Sequence, residues 1–174
     1  VRRAGAKPGD AVFVSGTIGD ASLGLALRQG DGAGWQLTAA QRRHLASRYL
    51  LPQPRNALAE AVRMHASAAM DVSDGLVGDF TKLCRASTIA AEIAVAQVPL
   101  SDAARAVIAD APAMLETALT GGDDYEVVCT VPPAKVVGFR AAAQAAHVPV
   151  SEIGQIVTGE GARFVGADGQ ALAF

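Results

Sequence analysis

Two short acidic turns, far apart in the chain, constrain the fold more than any other feature. The first is Met70-Asp71-Val72-Ser73-Asp74-Gly75-Leu76, and the second is Thr120-Gly121-Gly122-Asp123-Asp124-Tyr125-Glu126. Each stands where a strand-like run meets a helix-like run, and glycine lets the backbone turn tightly there. Carboxylates held in this way suit hard cations such as Mg²⁺, which take oxygen ligands and usually carry substrate phosphates with them. The pattern points to phosphoryl chemistry.

Around the two turns, strand-like and helix-like runs alternate. Ala11 to Ser15, Ala66 to Val72, Ala91 to Val98 and Tyr125 to Val131 read as strands, followed by late strands over Pro149 to Ile156 and Ala162 to Val165. Helices are expected over Ala21 to Arg28, Ala39 to Tyr49 with Thr38 as N-cap, Asn56 to His65, and Leu76 to Ala86. Further helices follow Ser101, run from Pro112 through Leu119, and span Ala134 to Ala146. Leu76, Phe80, Leu83 and Cys84 fall at core spacing on one helix face. The expectation is an α/β (α+β) fold: a single domain with a mixed β-sheet and helices packed on it. Residues 1–10 read as an incoming linker and 11–174 as the domain.

The chain has 174 residues, enough for one sizeable core, and a formal net charge of −2 that offers no case for nucleic acid. No run approaches the ~20 apolar residues of a membrane span, and the basic start, Val1-Arg2-Arg3-Ala4-Gly5, lacks the apolar stretch of a signal peptide. Such a start, without methionine, is expected of a piece cut from a longer protein or, equally, of a processed tag. The two cysteines, Cys84 and Cys129, lie in apolar periodic runs and read as free buried thiols, which fits a reducing cytoplasm. His44, His65 and His147 are scattered without metal-ligand spacing. Trp35 reads as a loop anchor or, alternatively, a stacking lid.

Each acidic turn admits two readings from its residues alone. In the first, Ser73 or Asp74 could cap the following helix; or Asp71 and Asp74 could hold Mg²⁺ while Ser73 and nearby amides meet phosphate oxygens. The second turn is either a solvated acidic turn or a close-approach site for a ligand beside its two glycines. A third segment, Gly16-Thr17-Ile18-Gly19-Asp20, opens a helix and could offer amides to phosphate. It lacks the lysine and spacing of a phosphate-binding loop and reads first as a structural turn.

Read together, the segments resemble the thiamine-monophosphate kinase family. The matching stretches are Gly5-Ala6-Lys7-Pro8-Gly9-Asp10, Val14-Ser15-Gly16-Thr17-Ile18-Gly19-Asp20 and Arg48-Tyr49-Leu50-Leu51-Pro52-Gln53-Pro54-Arg55, then both acidic turns in order. The wider superfamily includes aminoimidazole ribonucleotide synthetase, selenophosphate synthetase and a hydrogenase maturation protein.

The resemblance implies that the chain is the C-terminal domain of an enzyme whose N-terminal ATP-binding domain forms a homodimer. It implies transfer of a phosphoryl group from ATP to thiamine monophosphate, with Mg²⁺, and an isolated chain that does not turn over. Asp71 and Asp74 would be Mg²⁺ ligands and Ser73 a nucleotide contact. Asp123, with Asp124 beside it, would contact the acceptor, at a position where the family commonly has glutamate. The family usually ends in an aromatic tail on the substrate, for which Phe174 is the stand-in here. The rival expectations are a sister enzyme with another substrate and a non-catalytic binding domain.

Overall fold

The computed structural model describes residues 1–174. Strand β1 (Ala11–Ser15) carries Phe13 and Val14 at full burial and lies inside the sheet, antiparallel to two later strands, β4 (Glu126–Val131) and β5 (Val150–Val157). Strand β2 (Ala68–Val72) pairs with β4 and forms one edge. Strand β3 (Ala90–Ala94) pairs antiparallel with β5 and parallel with β6 (Gly161–Val165), which forms the other edge. The six-stranded order is β2-β4-β1-β5-β3-β6, a mixed sheet as expected.

Helices α1 (Asp20–Gln29), α2 (Ala39–Leu50), α3 (Ala59–His65) and α4 (Leu76–Ser87) precede α5 (Asp102–Asp110), α6 (Met114–Thr120) and α7 (Val136–Ala145). Three apolar clusters hold them. The largest joins the sheet to α4 through Leu76, Phe80, Leu83 and Cys84, all fully buried. Each of these larger side chains contributes about 1.5–3 kcal/mol on leaving water. A second cluster packs Phe13 and Cys129 of the sheet against α3 and α7, with Phe13 and Phe139 edge to face at 5.2 Å. A third gathers α1, α2, α5 and α6 around Leu23, Leu45 and Val107. Trp35 belongs to it at 6% exposure, so it is a loop anchor. Both cysteines are free and buried, and burial pushes their thiols up to about 12.

Several boundaries differ from expectation for local reasons. The helix expected from Asn56 begins as a 3-10 turn, Asn56–Leu58, and becomes α-helical at Ala59. The prolines before Ala134 have a similar effect, giving a 3-10 turn over Pro133–Lys135. β3 stops at Ala94, where its pairing with Val165 ends and Val95–Gln97 turns away. Thr38 forms a full capping box with Gln41, and Ser101 caps α5. Residues 1–10 run along the domain: the Ala69 amide donates to the Arg2 carbonyl at 3.0 Å, Gly9 donates to Ile156 at 2.9 Å, and Ala6 is buried.

Register fixes which loops meet. Val72 lies opposite Glu126, Ser15 opposite Val150, and Ala94 beside Val165. The ends of β1, β2, β3 and β6 and the starts of β4 and β5 therefore share one end of the sheet. The Gly16–Asp20 segment and both acidic turns all lie there.

Candidate functional site

The two acidic turns pack directly on each other. The Asp123 amide donates to the Ser73 carbonyl at 2.9 Å, and the Tyr125 amide donates to Val72 at 2.9 Å. Glycine makes this contact possible. A Cβ on Gly122 would stand 2.2 Å from the Ser73 oxygen, and one on Gly75, at φ 97°, would stand 2.2 Å from the Thr120 oxygen. Asp123 and Tyr125 themselves adopt left-handed backbone, φ 72° and 52°. Non-glycine residues hold that conformation only where their surroundings enforce it.

The first turn is open. Asp71 is exposed on β2 and lines a cavity of about 260 Å³ with Arg55, Asn56 and Tyr125. Asp74 is 69% exposed and paired with Lys82 of α4; the Lys82 hydrogen bond, with its charge and that of Arg3, holds the carboxyl below the usual range. Ser73 and Asp74 do not cap α4, whose N-cap is Gly75 without a side-chain bond. The reverse occurs: Asp79, in the first turn of α4 and buried, accepts the amides of Ser73 at 2.8 Å and Asp74 at 2.7 Å. Lys82 closes the arrangement on Asp79 at 2.9 Å. Asp79 was missed in the sequence reading, although an acid in the first turn of a helix is a recognisable signal.

The second turn is mostly closed. Asp123 is exposed, but Asp124 is 1% exposed and caps α1 from outside, accepting the amides of Gly19 at 2.7 Å and Ala21 at 3.1 Å. The helix N-terminus that could have cradled phosphate is thus filled by the chain's own carboxylate, and Gly16–Asp20 is a structural turn. Burial pushes Asp124 up to about 7, against the pull of those two amides. Beneath it, Asp20 is fully buried and bonded to Thr17, Ser101 and His44. Glu126 is fully buried against Arg48 and Arg55. Arg48 and Arg55 are site residues that the reading of motifs left without a role; their signal is two arginines flanking a Pro-x-Pro loop.

Ser73, Asp74 and Asp123 are thus gathered at one junction, with Asp71 two residues upstream on β2. Phe174 is not brought to this junction: beyond the opposite edge strand the chain doubles back along β6, with the Leu172 amide donating to the Phe164 carbonyl at 2.8 Å, and Phe174 stands edge to face on Phe164 at 5.7 Å. His65 and His147 take no part.

Residues 7–166 match the family model described as AIR synthase related protein, C-terminal domain. The thiamine-monophosphate kinase of Caulobacter vibrioides is 44% identical over 169 residues, covering 92% of this chain and 45% of that protein. The crystal structure of the thiamine-monophosphate kinase from Stenotrophomonas maltophilia K279a superposes with a TM-score of 0.87 at 34% identity, over 99% of this chain and 54% of that one. AaThiL complexed with AMPPCP and TMP gives a TM-score of 0.80 at 32% identity, over 99% of this chain and 52% of that one. The chain spans about half the length of the relatives it matches.

Proposed function

From a chain that belongs to the family of AIR synthase related proteins, as their C-terminal domain, we propose one half of an ATP-dependent kinase that converts thiamine monophosphate to thiamine diphosphate. The observation that carries this reading is the junction of the two turns, whose backbones are bonded to each other while Asp74 of one and Asp123 of the other stay exposed. The complex of AaThiL with AMPPCP, an ATP analogue, and TMP supports the pair of substrates.

Asp71 and Asp74 are the proposed Mg²⁺ ligands. Their chemistry fits: both are exposed hard oxygen donors, and Asp74 is held ionised by Lys82. No three acidic, histidine or cysteine side chains gather as a complete cage. Substrate phosphates and water would complete the coordination, the usual habit of Mg²⁺. Bound Mg²⁺ would supply charge neutralisation between the two phosphate-bearing substrates.

The chain's residues do the positioning. Ser73 has its amide spent on Asp79 and its carbonyl on Asp123, so the turn is rigid and its hydroxyl is the proposed contact to nucleotide phosphate. Asp123 is the proposed acceptor contact. Asp124 supports it from below by fixing the turn to α1. Phe174, after β6, is the proposed remnant of an aromatic wall on the acceptor.

In the reaction, an oxygen of the acceptor phosphate bonds to the γ-phosphorus of ATP, the bond to the β–γ bridging oxygen breaks, and ADP leaves. The acceptor phosphate is already ionised near neutral pH, so the site needs no general base. The N-terminal half of the relatives would supply the remaining nucleotide contacts and a homodimer interface, in the cytoplasm. No helix here is long and apolar enough to cross a membrane.

The test is chromatographic detection of thiamine diphosphate after incubation with ATP, Mg²⁺ and thiamine monophosphate. A longer protein carrying this chain behind such a half should form product, and this chain alone should not. A folded longer protein that forms none would end the reading, as would ADP release driven by a different acceptor.

A further inference from the structure

The third acid of the second turn, Glu126, is spent entirely within the protein. Its Oε2 accepts from Ser15 Oγ at 2.6 Å and Arg55 Nε at 2.7 Å. Its Oε1 accepts from Arg48 Nη2 at 3.0 Å and Arg55 Nη2 at 2.6 Å. An ionised carboxylate has about four acceptor positions, so Glu126 has none left for a metal, a substrate or a proton.

What those bonds accomplish is geometric. Arg48 lies near the end of α2 and Arg55 just before the following 3-10 turn, so one carboxylate staples both ends of the Tyr49–Pro54 segment, the last two residues of α2 and the loop after them. That segment carries Leu50 and Leu51 at 53% and 67% exposure. Ser15 Oγ, which donates to Glu126, also accepts from the Val127 amide at 2.8 Å, tying in the end of β1. Arg48 Nη2 also donates to the Asp124 carbonyl at 3.2 Å, inside the acidic turn. The turn needs such holding, because Asp123 and Tyr125 flank Asp124 in left-handed backbone.

The cluster is also electrically lopsided. Two guanidinium groups face one carboxylate, and Arg48 Nη1 is buried without a partner. Arg55, raised above its ordinary value by its bond to Glu126, borders the cavity into which Asp71 opens. The two arginines thus reach from the buried carboxylate to both turns: Arg48 to the Asp124 carbonyl, Arg55 to the cavity that Asp71 lines.

We propose that Glu126, clamped by Arg48 and Arg55, is the positioning residue of the acceptor turn, holding Asp123 in the backbone conformation that meets the acceptor. The proposal rests on the reading of Asp123 as an acceptor contact. Arg55→Lys keeps the charge and loses the paired hydrogen bonds; Glu126→Gln keeps the shape and loses the charge.

Two measurements test it. The first is amide hydrogen exchange in this chain. Arg55→Lys should speed exchange at Asp123 and Tyr125 about tenfold while β5 is unchanged, and Glu126→Gln should do more. The second is steady-state kinetics in the longer protein, where the acceptor KM should rise about tenfold or more and the ATP KM stay within about twofold. If Glu126→Gln unfolds, Arg55→Lys decides the matter. Unchanged exchange at 121–125 in folded Arg55→Lys overturns the proposal, and so does an equal rise in both KM values. No thiamine diphosphate from the unsubstituted longer protein would instead defeat the kinase reading, with the exchange result still judging the staple.

Discussion

The two acidic turns look alike in sequence and differ in what surrounds their carboxylates. In the first, Asp71 and Asp74 face solvent, and the buried acid that organises the turn, Asp79, comes from the following helix. In the second, Asp124 and Glu126 are themselves buried, and only Asp123 is presented outward. The difference lies in donors. Glu126 meets two arginines and a serine, and Asp124 meets the amides opening α1. Asp74 meets one exposed lysine. Buried carboxylates need such partners, so acid density in a motif marks a turn, and the partners decide whether it faces a ligand or holds the fold.

The sharpest way to break this contrast is Glu126→Ala. It leaves Arg48, 5% exposed, without its counter-charge, and stability to urea should fall by about 3–5 kcal/mol. A loss of only a few tenths would mean the second turn is as open as the first.

Asp124 gives the next effect, through pH. Its ordinary value is 3.8, and in the folded chain it rises to about 7 through burial, with Asp20 adding to the rise and the amides and Arg48 opposing it. The folded state therefore holds this proton more tightly than the unfolded chain does. The resulting stabilisation is full below about pH 4 and is lost as pH rises through about 7, by up to a few kcal/mol. His44 and Asp20 are bonded nearby and remain in both proteins. Subtracting the Asp124→Asn profile from the native one should isolate this slope, and identical profiles would refute it.

Gly122→Ala tests the contact between the turns. The added methyl meets the Ser73 oxygen and should cost about 1–3 kcal/mol, with faster exchange at Asp123. The smallest effect is expected at Asp74→Asn, which should leave the urea midpoint unmoved because its partner is a solvated lysine. A clear stability loss there would erase the distinction.

Much of this was legible from local pattern. The mixed sheet, the caps Thr38 and Ser101, and the buried face Leu76, Phe80, Leu83 and Cys84 all follow from short-range periodicity and capping chemistry. The residues gathered at the site were legible as motifs: Ser73 and Asp123 are bonded neighbours through backbone. The partners were not legible. Asp124 caps a helix that begins about a hundred residues earlier, and Glu126 binds Arg48 and Arg55 across a similar distance in sequence. No periodicity connects such positions: the register of β1, β2 and β4 and the packing of α2 against α1 bring them together. For the same reason the capping expected of Ser73 and Asp74 proved reversed: Asp79 had to be buried beside the turn before it could accept their amides.

The most direct test is the rate of thiamine diphosphate formation by Asp71→Asn in the longer protein, at saturating ATP, Mg²⁺ and thiamine monophosphate, with urea unfolding of the same sample. An open turn that serves ligands predicts a rate lower by orders of magnitude and an unchanged unfolding midpoint. A native rate, or a loss that tracks unfolding, would contradict the account.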